Sequence, residues 1–162
     1  MTVKALDFTT KERLKELVED WTVDLCLALE QNYLDYHKRM VSGNYERYNG
    51  VRSDLSDYAK EQLDAIENGT ANLMKFKVYT GKRYYKIVQQ EFETWEGSKY
   101  YQQYRDGSVH CFVDKETGDV YKPASWSAPA KHIRFTFQNV DHLKFLLNPD
   151  NVDWAGGYLY IR

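Results

Sequence analysis

The residues of this chain best suited to chemistry are cations and aromatic rings interleaved along short segments. Lys82-Arg83-Tyr84-Tyr85-Lys86 is one such segment, and Lys99-Tyr100-Tyr101-Gln102-Gln103-Tyr104-Arg105 is the other. Extended backbone sends alternate side chains to one face. Lys82, Tyr84 and Lys86 are therefore expected to share a surface, and Tyr100, Gln102 and Tyr104 another. Such a surface can stack unpaired bases on its rings while its cations hold the phosphates. Lys122, Trp126, Lys131 and Arg134 extend the set. A purely structural account competes with this one, because Tyr favours strands and Lys or Arg their solvated faces and edges.

Groups for covalent or metal chemistry are sparse. Cys26 and Cys111 are far apart, with no paired-cysteine or zinc spacing. Cys26 lies between two leucines on a helical stripe, the setting of an inert buried thiol. Cys111 follows His110, but neighbours on a strand point to opposite faces, so a dyad would need His132 or His142. The four histidines, His37, His110, His132 and His142, show no ligand-like pairing. Asp106, Asp114 and Asp119 lie near His110, yet each belongs to a turn signal, where Asp serves the backbone. Phosphate-binding, dinucleotide and nucleophile-elbow motifs are missing. No catalytic residue, metal or cofactor is therefore expected, and an enzyme using Cys111 or a His/Asp cluster is the weaker alternative.

These residues must be positioned by helices and strands whose periods are legible. Apolar residues recur at Leu14, Leu17, Val18, Trp21, Leu25, Ala28, Leu29, Tyr33, Tyr36 and Met40, one stripe at helical period. Thr9 and Glu12 form a capping box, which predicts a helix over about 9–42. Its length of about 48 Å exceeds what a domain of this size spans, so it kinks or one end protrudes. A second helix is expected over about 53–68, with Leu55, Tyr58, Ala59, Gln62, Leu63 and Ile66 inward and Asn68-Gly69 as its stop. From Leu73 the period changes to two. Strands are expected over 73–80, 83–92, 99–105, 108–114, 119–122, 131–137 and 157–161, with turns at Asp106-Gly107 and Gly118. A short helix is expected over 141–147. The fold class is α+β: an N-terminal helical pair over 1–70, then an antiparallel β-sheet with a short C-terminal helix over 71–162, as one cooperative unit.

Composition bounds the function. The chain has 162 residues, 43% hydrophobic and 28% charged, with a net charge of -2, which excludes disordered, collagenous and disulfide-scaffold classes. No apolar run approaches a membrane span and the N-terminus lacks a signal-peptide core, so no membrane partner is expected and the compartment is the cytosol. Residues 1–72 carry 9 basic against 14 acidic side chains, and residues 73–162 carry 13 against 10. The acidic half argues against non-specific duplex binding, which needs a broad positive field.

The string Ser108-Val109-His110-Cys111-Phe112-Val113-Asp114, then Thr117-Gly118-Asp119-Val120-Tyr121-Lys122-Pro123-Ala124-Ser125-Trp126, then Pro129-Ala130 and Arg134, resembles a segment of small proteins encoded by tailed bacteriophages. Gly81-Lys82-Arg83-Tyr84-Tyr85-Lys86-Ile87-Val88 is similar to the same group, and the likeness spans about 81–137. It implies a phage accessory protein working in the bacterial cytoplasm and brings no catalytic residues. The expectation is thus a non-enzymatic protein that binds a host or phage protein through its sheet and the Trp126 loop. Binding of single-stranded nucleic acid by the Tyr/Lys/Arg strands is the alternative. A virion component, or a homo-oligomer through the first helix, stands behind both. Trp126 itself either caps the core or anchors the partner.

Overall fold

The structure, a computed structural model, describes residues 10–42 and 55–161. Thr10 starts the first helix: its Oγ1 accepts from Arg13 N at 3.1 Å, satisfying an amide that has no partner within the helix. The expected cap at Thr9 lies outside the described residues, as do Ser53 and the turn over 43–52. Helix α1 runs continuously over Lys11–Ser42. Its buried stripe is the expected one from Leu14 to Leu29 and then stops. Beyond it, Tyr33 and Tyr36 pack on Trp154, with ring centroids 5.3 and 5.0 Å away. Asn32 clamps the same segment through Pro149 O and Trp154 N, both at 2.9 Å.

Helix α2, Asp57–Glu67, is capped by Ser56, whose Oγ accepts from Ala59 N. It pairs with the end of α1, where His37 and Gln62 meet at 3.3 Å. Only Ala59 is buried, and Tyr58 is exposed rather than inward. A short helix lying on the half-covered end of another has little apolar surface to cover.

The remainder is one antiparallel sheet in sequential order: β1 Lys75–Thr80, β2 Tyr84–Phe92, β3 Tyr104–Asp114, β4 Asp119–Tyr121 and β5 Phe135–Thr136. Helix α3, Val140–Leu146, and a 3-10 turn over Gly157–Leu159 complete the α+β fold. Tyr85, Ile87, Cys111, Val113 and Val120 point from the sheet into a core shared with α1, Phe137, Leu146 and Leu159. No helix of the described residues is long and apolar enough to cross a membrane.

Four expected features are corrected. Residues 99–103 form a turn instead of a strand, with Gln102 left-handed at φ 59° and held by Glu93, whose carbonyl accepts from Gln102 N at 2.9 Å. Asp106-Gly107 lies within β3, because the long β2 offers pairing there and the excess residues are absorbed as irregularities opposite Val88 and Gln89. One of these shifts places His110 in the core beside Cys111, while Val109 leaves it half-exposed. The strand expected over 131–137 shrinks to β5, since His132 adopts φ 73° and Ile133 turns to solvent. The strand expected over 157–161 is the 3-10 turn, entered through left-handed Gly156.

Candidate functional site: the groove beneath Trp126

Gly81, Lys82 and Arg83 make the tight connection between β1 and β2, closed by Gly81 N donating to Tyr84 O at 2.9 Å. The ladder on the sheet face away from α1 then runs Tyr79, Lys86, Phe112, Tyr121 across four strands. The Pro123–Pro129 loop folds over it. Its ends pair with each other, and Ser125 Oγ accepts from Ser127 N and Ala128 N at 3.3 and 3.2 Å. That self-bonded loop lays Trp126 on Lys86, whose Nζ sits 4.1 Å from the ring centroid. The same ammonium donates to Trp126 O at 3.2 Å. Trp126 keeps 47% of its surface exposed. It neither seals the core nor stands clear of the protein; it roofs a groove.

The groove holds about 490 Å³ and is lined by Tyr79, Lys82, Arg83, Tyr84, Phe112 and Trp126, with Lys86 at its floor. Arg83 is steered by Asp114, 3.4 Å from its Nε, while Asp114 caps the next turn through Glu116 N and Thr117 N at 2.9 and 3.2 Å. Asp106 closes the far end. It accepts from Gln90 Nε2 at 2.9 Å and from the Tyr79 hydroxyl at 2.7 Å. Those bonds, Gln90's foremost, hold its carboxyl below the usual range, and the bond to Asp106 pushes the Tyr79 hydroxyl up. The groove is therefore cationic at its mouth and anionic at its end.

Of the residues singled out from sequence, Lys82, Arg83, Tyr84, Lys86 and Trp126 come together here. Tyr100, Tyr104 and Arg105 line a smaller adjoining hollow of about 280 Å³, which shares Tyr79 and Asp106 with the groove. Arg105 is tied there to Glu93 and Glu91 at 2.7 and 3.9 Å, and the Tyr104 hydroxyl donates to Leu73 O at 2.8 Å. Lys122 lies apart, over the Tyr160 ring, and Lys131 is exposed. Arg134 is a structural clamp. Its Nε donates to Leu159 O at 2.6 Å and its Nη1 to the carbonyls of Lys131 and His132, both at 2.7 Å. Arg134→Ala should cost about 2 kcal/mol, chiefly the charge-assisted bond lost from the partly buried Leu159 carbonyl, and leave the groove unchanged. Urea unfolding measures it, and an unaltered midpoint would refute the clamp.

Sequence reasoning did not single out Tyr79 or Phe112, and it weighed Asp106 only as a turn residue near His110. The alternation Lys75-Lys77-Tyr79 was the available signal for Tyr79. Asp106 was masked by its turn-like neighbour Gly107.

Among the described residues, the cysteines and histidines weighed for nucleophilic chemistry do not come together as a nucleophile and its base. Cys111 is fully buried and its thiol is pushed well above its ordinary range by that burial. Burial likewise pushes Cys26 up to about 12. His110 is sealed in the core with the Tyr158 hydroxyl at 2.7 Å, and His142 Nδ1 accepts from Thr136 N. Among the described residues no three His, Cys, Asp or Glu side chains are placed to hold a metal.

Fold and groove together define an α+β protein whose five-stranded sheet carries a helix on one face and a roofed cation–aromatic groove on the other. The chain belongs to the family of unknown function DUF7717, whose sequence model matches residues 5–161. No curated protein and no solved structure matches it.

Proposed function

We propose that this is a non-catalytic binding protein whose groove beneath Trp126 receives another protein. In line with the resemblance of its 81–137 segment, it acts as a phage accessory protein in the bacterial cytoplasm. The observation that supports the reading is the stack of Trp126 on Lys86 between cationic Lys82 and Arg83 and anionic Asp106. A nucleic-acid strand needs cations running on past its stacked bases. Here Asp106 breaks the line between Lys86 and the β1 lysines Lys77 and Lys75, which lie over the Tyr79 and Tyr104 rings, and Arg105 beside it is paired with Glu91 and Glu93. Lys122, Lys131 and Arg134 do not join it. The groove instead suits one acidic side chain next to an apolar or aromatic one, as a protein surface presents them. An exposed Trp ringed by polar groups is the usual form of an interface anchor.

Trp126→Ala is expected to weaken the complex at least about tenfold, more than a rise to physiological salt does. Immobilised wild-type and Trp126→Ala protein, challenged with nuclease-treated bacterial extract, provide the comparison. A protein retained by the wild type alone supports the reading. Retention that vanishes with nuclease, together with salt-sensitive binding of a labelled single strand, would replace it with the nucleic-acid alternative.

A further inference from the structure

Strand β1 is the edge of the sheet: among the described residues it pairs with β2 alone. Its hydrogen-bond phase is set at both ends. Gly81 N bonds to Tyr84 O in the connection, so Tyr79, Lys77 and Lys75 face β2 with their backbone groups, while Phe76, Val78 and Thr80 turn theirs outward. Phe76 agrees, because its outward N–H does not meet β2 at all. It donates to Glu30 Oε2 of α1 at 3.0 Å. A helix carboxylate thus occupies the place that a neighbouring strand's carbonyl would take. Beside it, Leu27 and Leu34 of α1 form an open groove of about 450 Å³ with Leu73 and Met74, just before β1, and Glu30, Gln31 and Lys75 give it a polar rim. Leu27 is 58% exposed, and Val23, one turn earlier, 49%. On the opposite face the same edge displays Lys75 and Lys77.

We infer that β1 takes a further strand from a partner protein, one that alternates apolar and acidic residues. This rests on the reading above that the partner is a protein, and it names how that partner is held. An added strand would satisfy the outward groups of Phe76, Val78 and Thr80 through its own backbone. Its apolar side chains would fall on Leu27 and Leu34, and its carboxylates beside Lys75 and Lys77. The far end of the edge, Tyr79 to Gly81, already lines the Trp126 groove, so the two surfaces are continuous. A second copy of this chain fits less well, because its β1 brings no carboxylate to these lysines: Lys77 meets Lys77 in one antiparallel register and Tyr79 in the next. Glu30 holds the edge closed to non-specific pairing until a backbone carbonyl replaces it.

The probe is a labelled, end-capped peptide of alternating valine and glutamate, about ten residues long, long enough to span the edge, followed by fluorescence anisotropy. Saturable binding is expected, lost at least about tenfold with Thr80→Pro, which removes an outward N–H from an exposed position without touching the β2 ladder. Thr80 also lines the Trp126 groove, so a modified peptide separates lost strand pairing from an altered groove. The peptide N-methylated at alternate residues should bind as weakly, and that control leaves the protein unaltered. Glu30→Ala should tighten binding about threefold or more by freeing the Phe76 amide. Absence of binding, indifference to Thr80→Pro and to N-methylation, or equal affinity for a valine–lysine peptide would overturn the inference. So would a dimer in sedimentation that Thr80→Pro dissolves. The extract comparison separates the two readings: a protein lost with Trp126→Ala but kept by Thr80→Pro removes the strand and leaves the groove.

Discussion

Phe137→Ala should lower the free energy of unfolding by about 3–5 kcal/mol, the cost of deleting a large core ring that its surroundings cannot replace. Phe137 is fully buried and meets Trp21 of α1 edge-on at 5.9 Å. Its backbone N donates to Gly118 O at 2.9 Å. Gly118, left-handed at φ 75°, passes so close that a Cβ there would stand 3.0 Å from Phe137 Cβ and 3.2 Å from Val18 Cγ2. One ring thus joins the helix, the β3–β4 turn and the end of β5. Little around it is free to collapse into the vacated space. A fall in melting temperature of roughly 10 °C is expected for a chain of this length, with Phe137→Leu losing well under half as much. A shift of only a degree or two would mean that α1 and the sheet are not joined through this ring.

Acid should unfold the protein through His110. Burial pushes its imidazole down to about 4, against the lesser opposing pull of Asp153 and the Trp154 backbone. Its neighbours are the Tyr158 hydroxyl at 2.7 Å and the edge of Phe76. The unfolded chain takes up this proton near pH 6.5 and the folded chain only near 4, so the unfolded state binds more protons between those values. Stability from this group is complete above about pH 6.5, declines as the pH falls, and is down by about 3 kcal/mol once below 4. Carboxylates also titrate in the lower part of that window, so the informative quantity is wild type minus His110→Gln. Urea midpoints from pH 7.5 to 4 should converge for the two proteins as acid is added. Parallel curves would show that His110 is not the group responsible.

Much of this molecule could be seen in the order of its residues, wherever the determinant was local. The stripe from Leu14 to Leu29 has a single period and a single apolar face, so the helix and its buried side follow from spacing alone. The change of period at Leu73, the left-handed Gly118 and the density of cations and rings over 82–86 were legible for the same reason. Decisions that weigh a local preference against distant pairing were not. Asp106-Gly107 is a good turn in isolation, but a nine-residue β2 supplies more ladder bonds than a turn would. The segment 99–105 alternates like a strand, yet its backbone is captured by Glu93 and bends at Gln102. Arg83 and Arg134 look alike in sequence. One reaches a groove because β1 and β2 connect tightly, while the other is held by the nearby carbonyls of Lys131 and His132 and gains that of Leu159 only after the C-terminal turn has folded back. The meeting of Lys86 and Trp126, forty residues apart, is likewise a product of sheet order and of a loop that bonds to itself. Sequence determined which residue types could form a binding surface and which helix would hold the sheet. Tertiary structure decided which of those cations stay solvated, because that depends on the carbonyls and carboxylates the fold brings within reach.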